Sequence, residues 1–152
     1  MPHIRKDPVT KQSVIIASDR TGRPSDYIST KDDERISNSE LNCPFCRGHE
    51  NITPDASVSL FDNNSEWAVR IVPNKYPIIA ETKAGELPNT TNLFNASSSK
   101  GFHDVIIESP NHNFNFYNAK SEDFLKIFDA VILRLKELYK ESDMQYSLYF
   151  KN

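Results

Sequence analysis

Both cysteines of the chain stand in one four-residue stretch, Cys43-Pro44-Phe45-Cys46. Thiols at that spacing, with Pro44 stiffening the turn between them, can converge on one metal ion as a knuckle or pair as a redox dithiol. A redox dithiol belongs at a strand-to-helix turn, with its second cysteine inside the helix. Here Cys46 is followed by Arg47-Gly48-His49-Glu50-Asn51-Ile52-Thr53-Pro54, which does not read as a helix, so a metal pair is preferred. A tetrahedral zinc would then need imidazole or carboxylate ligands from elsewhere. The four histidines are His3, His49, His103 and His112. His112 is the first choice, because it lies just past an expected strand end, where a side chain can turn toward a neighbouring loop. His103 precedes the same strand and is the rival; His49 is too near Cys46, and His3 falls in an expected loose terminus.

Two further stretches carry polar chemistry. In Arg20-Thr21-Gly22-Arg23-Pro24 two arginines three apart flank a glycine, and guanidinium forks on a loop can grip phosphate through paired hydrogen bonds. In Pro73-Asn74-Lys75-Tyr76-Pro77 two prolines hold the backbone extended and present an amide, an amine and a phenol, a set that suits a nucleotide. A solvated pair of arginines and a plain rigid turn explain the same residues when each stretch is taken alone.

These groups need elements to hold them. Residues 4–11 are polar, and Ser13-Val14-Ile15-Ile16-Ala17 is a β-branched run between turn formers, the first expected strand. Residues 25–42 read as an exposed polar loop. Val58–Phe61 and Trp67–Val72, separated by Asp62-Asn63-Asn64-Ser65, predict an antiparallel hairpin. Residues 81–100 lack periodicity and read as a long connection, and Val105–Ile107, stopped by Pro110, is another buried strand. From Ser121 the period changes: Phe124, Phe128, Val131, Leu135 and Leu138 form an apolar helical stripe with Leu125, Ile132 and Tyr139 alongside. Ser121 is the expected cap, with Glu122 and Asp123 at the positive end of the helix and Lys136 and Lys140 at the negative end. Tyr146–Phe150 alternates as a last strand. The fold class that follows is α+β, mostly antiparallel, with one long helix packed across the sheet.

Composition narrows the function classes. A length of 152 residues suits one domain, and a net charge of −3 with no Lys or Arg block argues against nucleic acid as a partner. No apolar run spans a membrane and no apolar signal segment opens the chain, so the expectation is a cytoplasmic protein without a membrane partner. In a reducing compartment a structural disulfide at Cys43 and Cys46 is disfavoured.

Several motifs in register resemble the N-terminal part of the galactose-1-phosphate uridylyltransferase family. They are Arg5-Lys6-Asp7-Pro8-Val9-Thr10, Val14-Ile15-Ile16-Ala17, Arg20-Thr21-Gly22-Arg23-Pro24, Cys43-Pro44-Phe45-Cys46, Thr53-Pro54, Val69 through Pro77, Val105 through His112, and Phe150-Lys151-Asn152. The resemblance implies a histidine-triad-like fold, a partial barrel, with residues 1–152 as one domain incomplete at its C-terminal end. It implies exchange of UMP between UDP-glucose and galactose 1-phosphate through a nucleotidyl-histidine. It carries over Cys43, Cys46 and His112 as zinc ligands, Arg20 and Arg23 as phosphate contacts, and Asn74, Lys75, Tyr76 and Asn152 as residues around the nucleotide. It leaves room for a homodimer, with the arginines reaching phosphate across the interface.

The departure lies past Asn152, where the family continues to His-Pro-His-x-Gln, the source of a fourth zinc ligand and of the nucleophile. The expectation is therefore a truncated or split form, with no catalytic residue in this sequence and no turnover alone. Its three-ligand zinc site would bind more weakly than a closed one. Two other readings stay open: an ADP-glucose phosphorylase-like transferase that moves AMP, and a non-catalytic zinc-stabilised binding module.

Overall fold

The computed structural model describes residues 2–18, 20, 43–80, 95–140 and 144–151. These form two compact units: residues 1–31 with 74–104, and residues 32–73 with 105–152. The architecture is α+β, with antiparallel pairings in both units and one long helix.

In the first unit β1 (His3–Lys6) lies between β2 (Ser13–Ile16) and β5 (Asn95–Ser98), antiparallel to both. Two of these strands depart from the sequence expectation. The N-terminus is not loose: His3 is buried and pairs with Ile16 on one side and Ser98 on the other. The polar run hides a hairpin because Asp7 ties the turn, its Oδ1 accepting the N–H groups of Val9 (2.8 Å) and Thr10 (2.7 Å), while Asp7 N–H donates to Gln12 O (2.8 Å). Those donors hold the Asp7 carboxyl below its ordinary value. Within the expected connection of residues 81–100, the described part, residues 95–100, contains β5, whose Asn, Ala and Ser residues carry no apolar alternation to announce it. The polar loop 25–42 lies outside the described residues.

In the second unit β4 (Trp67–Pro73) lies between β3 (Val58–Phe61) and β6 (Asp104–Ile107). As the middle strand it is buried on both faces, which explains its near-continuous apolar run. The β3–β4 hairpin forms as expected, Asp62 Oδ1 accepting the N–H groups of Asn64 and Glu66 in the turn. Its register breaks once. Leu60 faces Val69 but Phe61 faces Trp67, so Ala68 is an extra residue, a β-bulge. The bulge reverses the alternation: Val69 and Ile71 pack with Val58, Ile127 and Ala130, whereas Trp67 joins Val72 and Ile107 in a second cluster.

Helix α1 (Ser121–Leu138) packs on β3 and β4. Its cap lies one residue earlier than expected: Lys120 is the capping position, Ser121 is the first helical residue, and Asp123 Oδ2 accepts the Lys120 N–H at 2.9 Å. The stripe is also rotated. Ile127 and Ala130, not Phe128, are fully buried, and Leu125, Phe128 and Ile132 are exposed. Phe128 instead meets Tyr149 edge to face, centroids 6.3 Å apart. The expected strand Tyr146–Phe150 pairs with no other described strand; that segment is held by side chains, with the Lys151 ammonium bonded to the Glu108 carboxylate and lying over the Phe116 ring. Among the described residues no helix is long and apolar enough to cross a membrane.

Candidate functional site

The Cys43-Pro44-Phe45-Cys46 stretch folds as a tight turn, Cys46 N–H donating to Cys43 O at 3.3 Å and His49 N–H to Cys46 O at 3.2 Å. Gly48 follows at φ 91°, a conformation that costs other residues a Cβ clash with their own backbone. The knuckle is then moored to the start of β4. Arg47 pairs with the Glu66 carboxylate, donates to Trp67 O at 3.0 Å and lies 5.9 Å from the centre of the Trp67 ring. Glu50 accepts the Trp67 Nε1–H and the Gly48 N–H. The Trp67 donor above all holds the Glu50 carboxyl below its ordinary value, with the Arg70 charge acting the same way.

His112 approaches this knuckle from the loop after β6. An asparagine turn sets its backbone: Ser109 Oγ accepts the Asn111 N–H, Asn111 Oδ1 accepts the Asn113 N–H, and Asn111 O accepts the Phe114 N–H. The outcome is that one donor atom from each of Cys43, Cys46 and His112 lies within 4.8 Å of the others. His112 Nδ1 is 3.4 Å from Cys46 Sγ. Ordinary zinc–sulfur and zinc–nitrogen bond lengths at tetrahedral angles place such a pair about 3.5 Å apart, so the donor set fits a zinc ion. Soft thiolates with an imidazole also select zinc over magnesium or calcium.

The other histidines are engaged elsewhere. His49 Nδ1 lies 2.6 Å from Cys43 O, bracing the knuckle from within, and Arg5 Nε donates to His3 Nε2 at 3.1 Å. His103, the rival ligand, belongs to the first unit. Its Nδ1 accepts the Ile78 N–H at 3.0 Å and its Nε2 faces Asn74 Nδ2 at 3.3 Å.

The same unit holds the described residues of the phosphate and nucleotide candidates. Arg20 is half-buried and its Nη1 donates to Tyr76 O at 3.1 Å. Asn74 turns inward: its Oδ1 accepts the Tyr76 N–H at 2.8 Å and its own N–H donates to His103 O at 2.8 Å. Lys75 is exposed and Tyr76 half-buried. The structure therefore brings Arg20, Asn74 and Tyr76 together, with His103 joined to them. By residue type and position His103 reads only as a rival metal ligand. Its link to Ile78 runs over 25 positions to a backbone amide and left no signal in residue types. Arg23 and Asn152 lie outside the described residues.

The family model for the N-terminal domain of galactose-1-phosphate uridyl transferase matches residues 1–152. The chain belongs to that family. An ADP-glucose phosphorylase of Arabidopsis thaliana is 30% identical over 99% of this chain and 43% of its own length. The crystal structure of an ADP-glucose phosphorylase from Arabidopsis thaliana with bound ADP-glucose superposes with a TM-score of 0.55 at 26% identity, covering 96% of this chain and 41% of that one. A uridylyltransferase structure matches with a TM-score of 0.58 at 24% identity, over 95% of this chain and 37% of that one, which speaks for the fold alone. The chain thus spans well under half the length of these relatives.

Proposed function

We propose that residues 1–152 form the N-terminal, histidine-triad-like domain of a nucleotidyltransferase that exchanges UMP between UDP-glucose and galactose 1-phosphate. The observation that carries this reading is the convergence of Cys43, Cys46 and His112 in a chain matched along its whole length by the family model. In this reading those three residues hold zinc, which supplies a structural cross-link and takes no part in bond making. Arg20 and Arg23 neutralise phosphate charge. Asn74, Lys75, Tyr76 and Asn152 surround the nucleotide, and Lys75, being exposed, is free to pair with an anionic oxygen.

In this reading none of the four histidines of the sequence is assigned as the residue that would carry the nucleotide. His112 belongs to the metal group, His49 and His103 are bonded to Cys43 and Ile78, and His3 is buried in β1. The role assigned to these 152 residues is to hold the nucleotide sugar and its phosphates, and no step of bond making is assigned to them. A second reading, the same machinery moving AMP, is favoured by the 30% identical ADP-glucose phosphorylase.

The test is a thermal-shift and calorimetric titration of the zinc-loaded chain with UDP-glucose and with ADP-glucose. Stronger stabilisation by UDP-glucose supports the first reading and stronger stabilisation by ADP-glucose the second. A protein that holds zinc and responds to neither is a zinc-stabilised binding module, and both transferase readings fall.

A further inference from the structure

We propose that His103 is a positioning residue that fixes the backbone of the 74–78 loop by accepting a hydrogen bond at Nδ1, and so sets the shape presented to nucleotide. The nucleotide part of this inference rests on the function proposed above; the positioning part does not.

The argument begins with what each partner can do. The Ile78 N–H is a donor of fixed direction, so the ring nitrogen it meets at 3.0 Å must be bare. A neutral imidazole carries one proton, which then sits on Nε2; the Asn74 group facing it at 3.3 Å is Nδ2, itself a donor, so that approach is a packing contact and not a hydrogen bond. Asn74 is already committed, its oxygen holding the Tyr76 N–H at 2.8 Å and its backbone N–H bonding His103 O at 2.8 Å. One residue thus holds the loop near both its ends, its carbonyl oxygen accepting the Asn74 N–H and its ring Nδ1 the Ile78 N–H, while Arg20 closes the middle through Tyr76 O. Pro77 between them supplies no N–H of its own. Without His103 the Ile78 amide loses its acceptor, and the extended stretch between the two prolines loses the contact that bridges its ends.

The surroundings hold the ring in the form this bond needs. Burial foremost, and then the Arg20 charge, push the His103 imidazole below its ordinary value; the Asp104 carboxylate opposes them. A basic group lowered on folding contributes stability above its ordinary value of 6.5 that is lost as pH falls below it, since protonating Nδ1 breaks the bond to Ile78. The loop is thereby expected to loosen on acidification, one ring at a time and without unfolding.

The experiment uses the 152-residue chain labelled with nitrogen-15. Long-range proton–nitrogen spectra at pH 7.5 report the ring tautomer, and the expected result is a protonated Nε2 with a bare Nδ1. On acidification the Ile78 amide signal should move with the His103 titration. His103→Asn keeps an oxygen near the position of Nδ1 and should leave the Ile78 and Tyr76 amides close to their native shifts, whereas His103→Ala should displace both. Under the proposed function, His103→Ala also weakens UDP-glucose and ADP-glucose binding by a common factor of about five to ten, the worth of one hydrogen bond, and His103→Asn restores it. A protonated Nδ1, or Ile78 and Tyr76 amides unmoved in His103→Ala, overturns the positioning role. If wild-type chain binds neither nucleotide sugar, the proposed function fails, and the tautomer and amide shifts still decide His103.

Discussion

His112→Ala separates a metal that links distant parts of the chain from one that sits on a local knuckle. Cys46 and His112 are 66 positions apart. Zinc bound to both closes that loop, and the chain-entropy model gives about 4 kcal/mol for a link of this span. The Cys43–Cys46 pair can hold zinc in the unfolded chain too, so only the His112 link favours the folded state. For a domain of this size about 4 kcal/mol corresponds to roughly 10 °C in melting temperature. The assay is thermal and urea unfolding of wild type and His112→Ala, each with one equivalent of zinc and with excess chelator. Wild type should gain the full difference from zinc and the variant little of it, and comparing differences cancels any metal-independent cost of the substitution. Equal stability of wild type with and without zinc would refute the metal, and an undiminished zinc effect in His112→Ala would refute His112 as its ligand.

Other outcomes follow from the packing. Ile127→Ala opens a cavity under a fully buried side chain packed among Val58, Val69 and Ile71, and should cost about 2–5 kcal/mol in urea unfolding. Gly101→Ala would place a Cβ 2.7 Å from Ile79 Cγ2, and should cost about 1–3 kcal/mol by the same measurement. Glu50 is lowered on folding, so its contribution is present above its ordinary value of 4.5 and fades as pH falls below it. The stability gap between wild type and Glu50→Gln should therefore shrink from pH 6 to pH 3, and a gap that stays constant would show that the Trp67 bond does not depend on the charge.

Much of this was legible in residue types. The β3–β4 hairpin and β6 are announced by short apolar runs between turn formers and the long helix by an apolar period of three to four, and each of these elements forms. Cys43 and Cys46 announced their pairing by spacing, and His112 by its place after a strand. What escaped notice depends on partners far along the chain. Strand β5 is Asn95-Ala96-Ser97-Ser98, polar throughout and defined by its pairing with β1. The helix stripe was centred on Phe128 because a large aromatic counts as apolar wherever it stands, yet Ile127 and Ala130 offer the close approach that β3 and β4 require. Asn74 promised an outward amide, and its carboxamide oxygen is spent on the Tyr76 N–H, a choice made by backbone geometry.

The extra residue at Ala68 places Trp67, to which Arg47 and Glu50 are bonded, in one cluster, while Val69 and Ile71 stay in the other with the helix. The two faces of a single strand in this way serve two separate hydrophobic clusters. Damage to the helix core need not reach the knuckle, so Ile127→Ala and loss of the metal should combine with little coupling between them. The separation of the two clusters comes with one residue out of register.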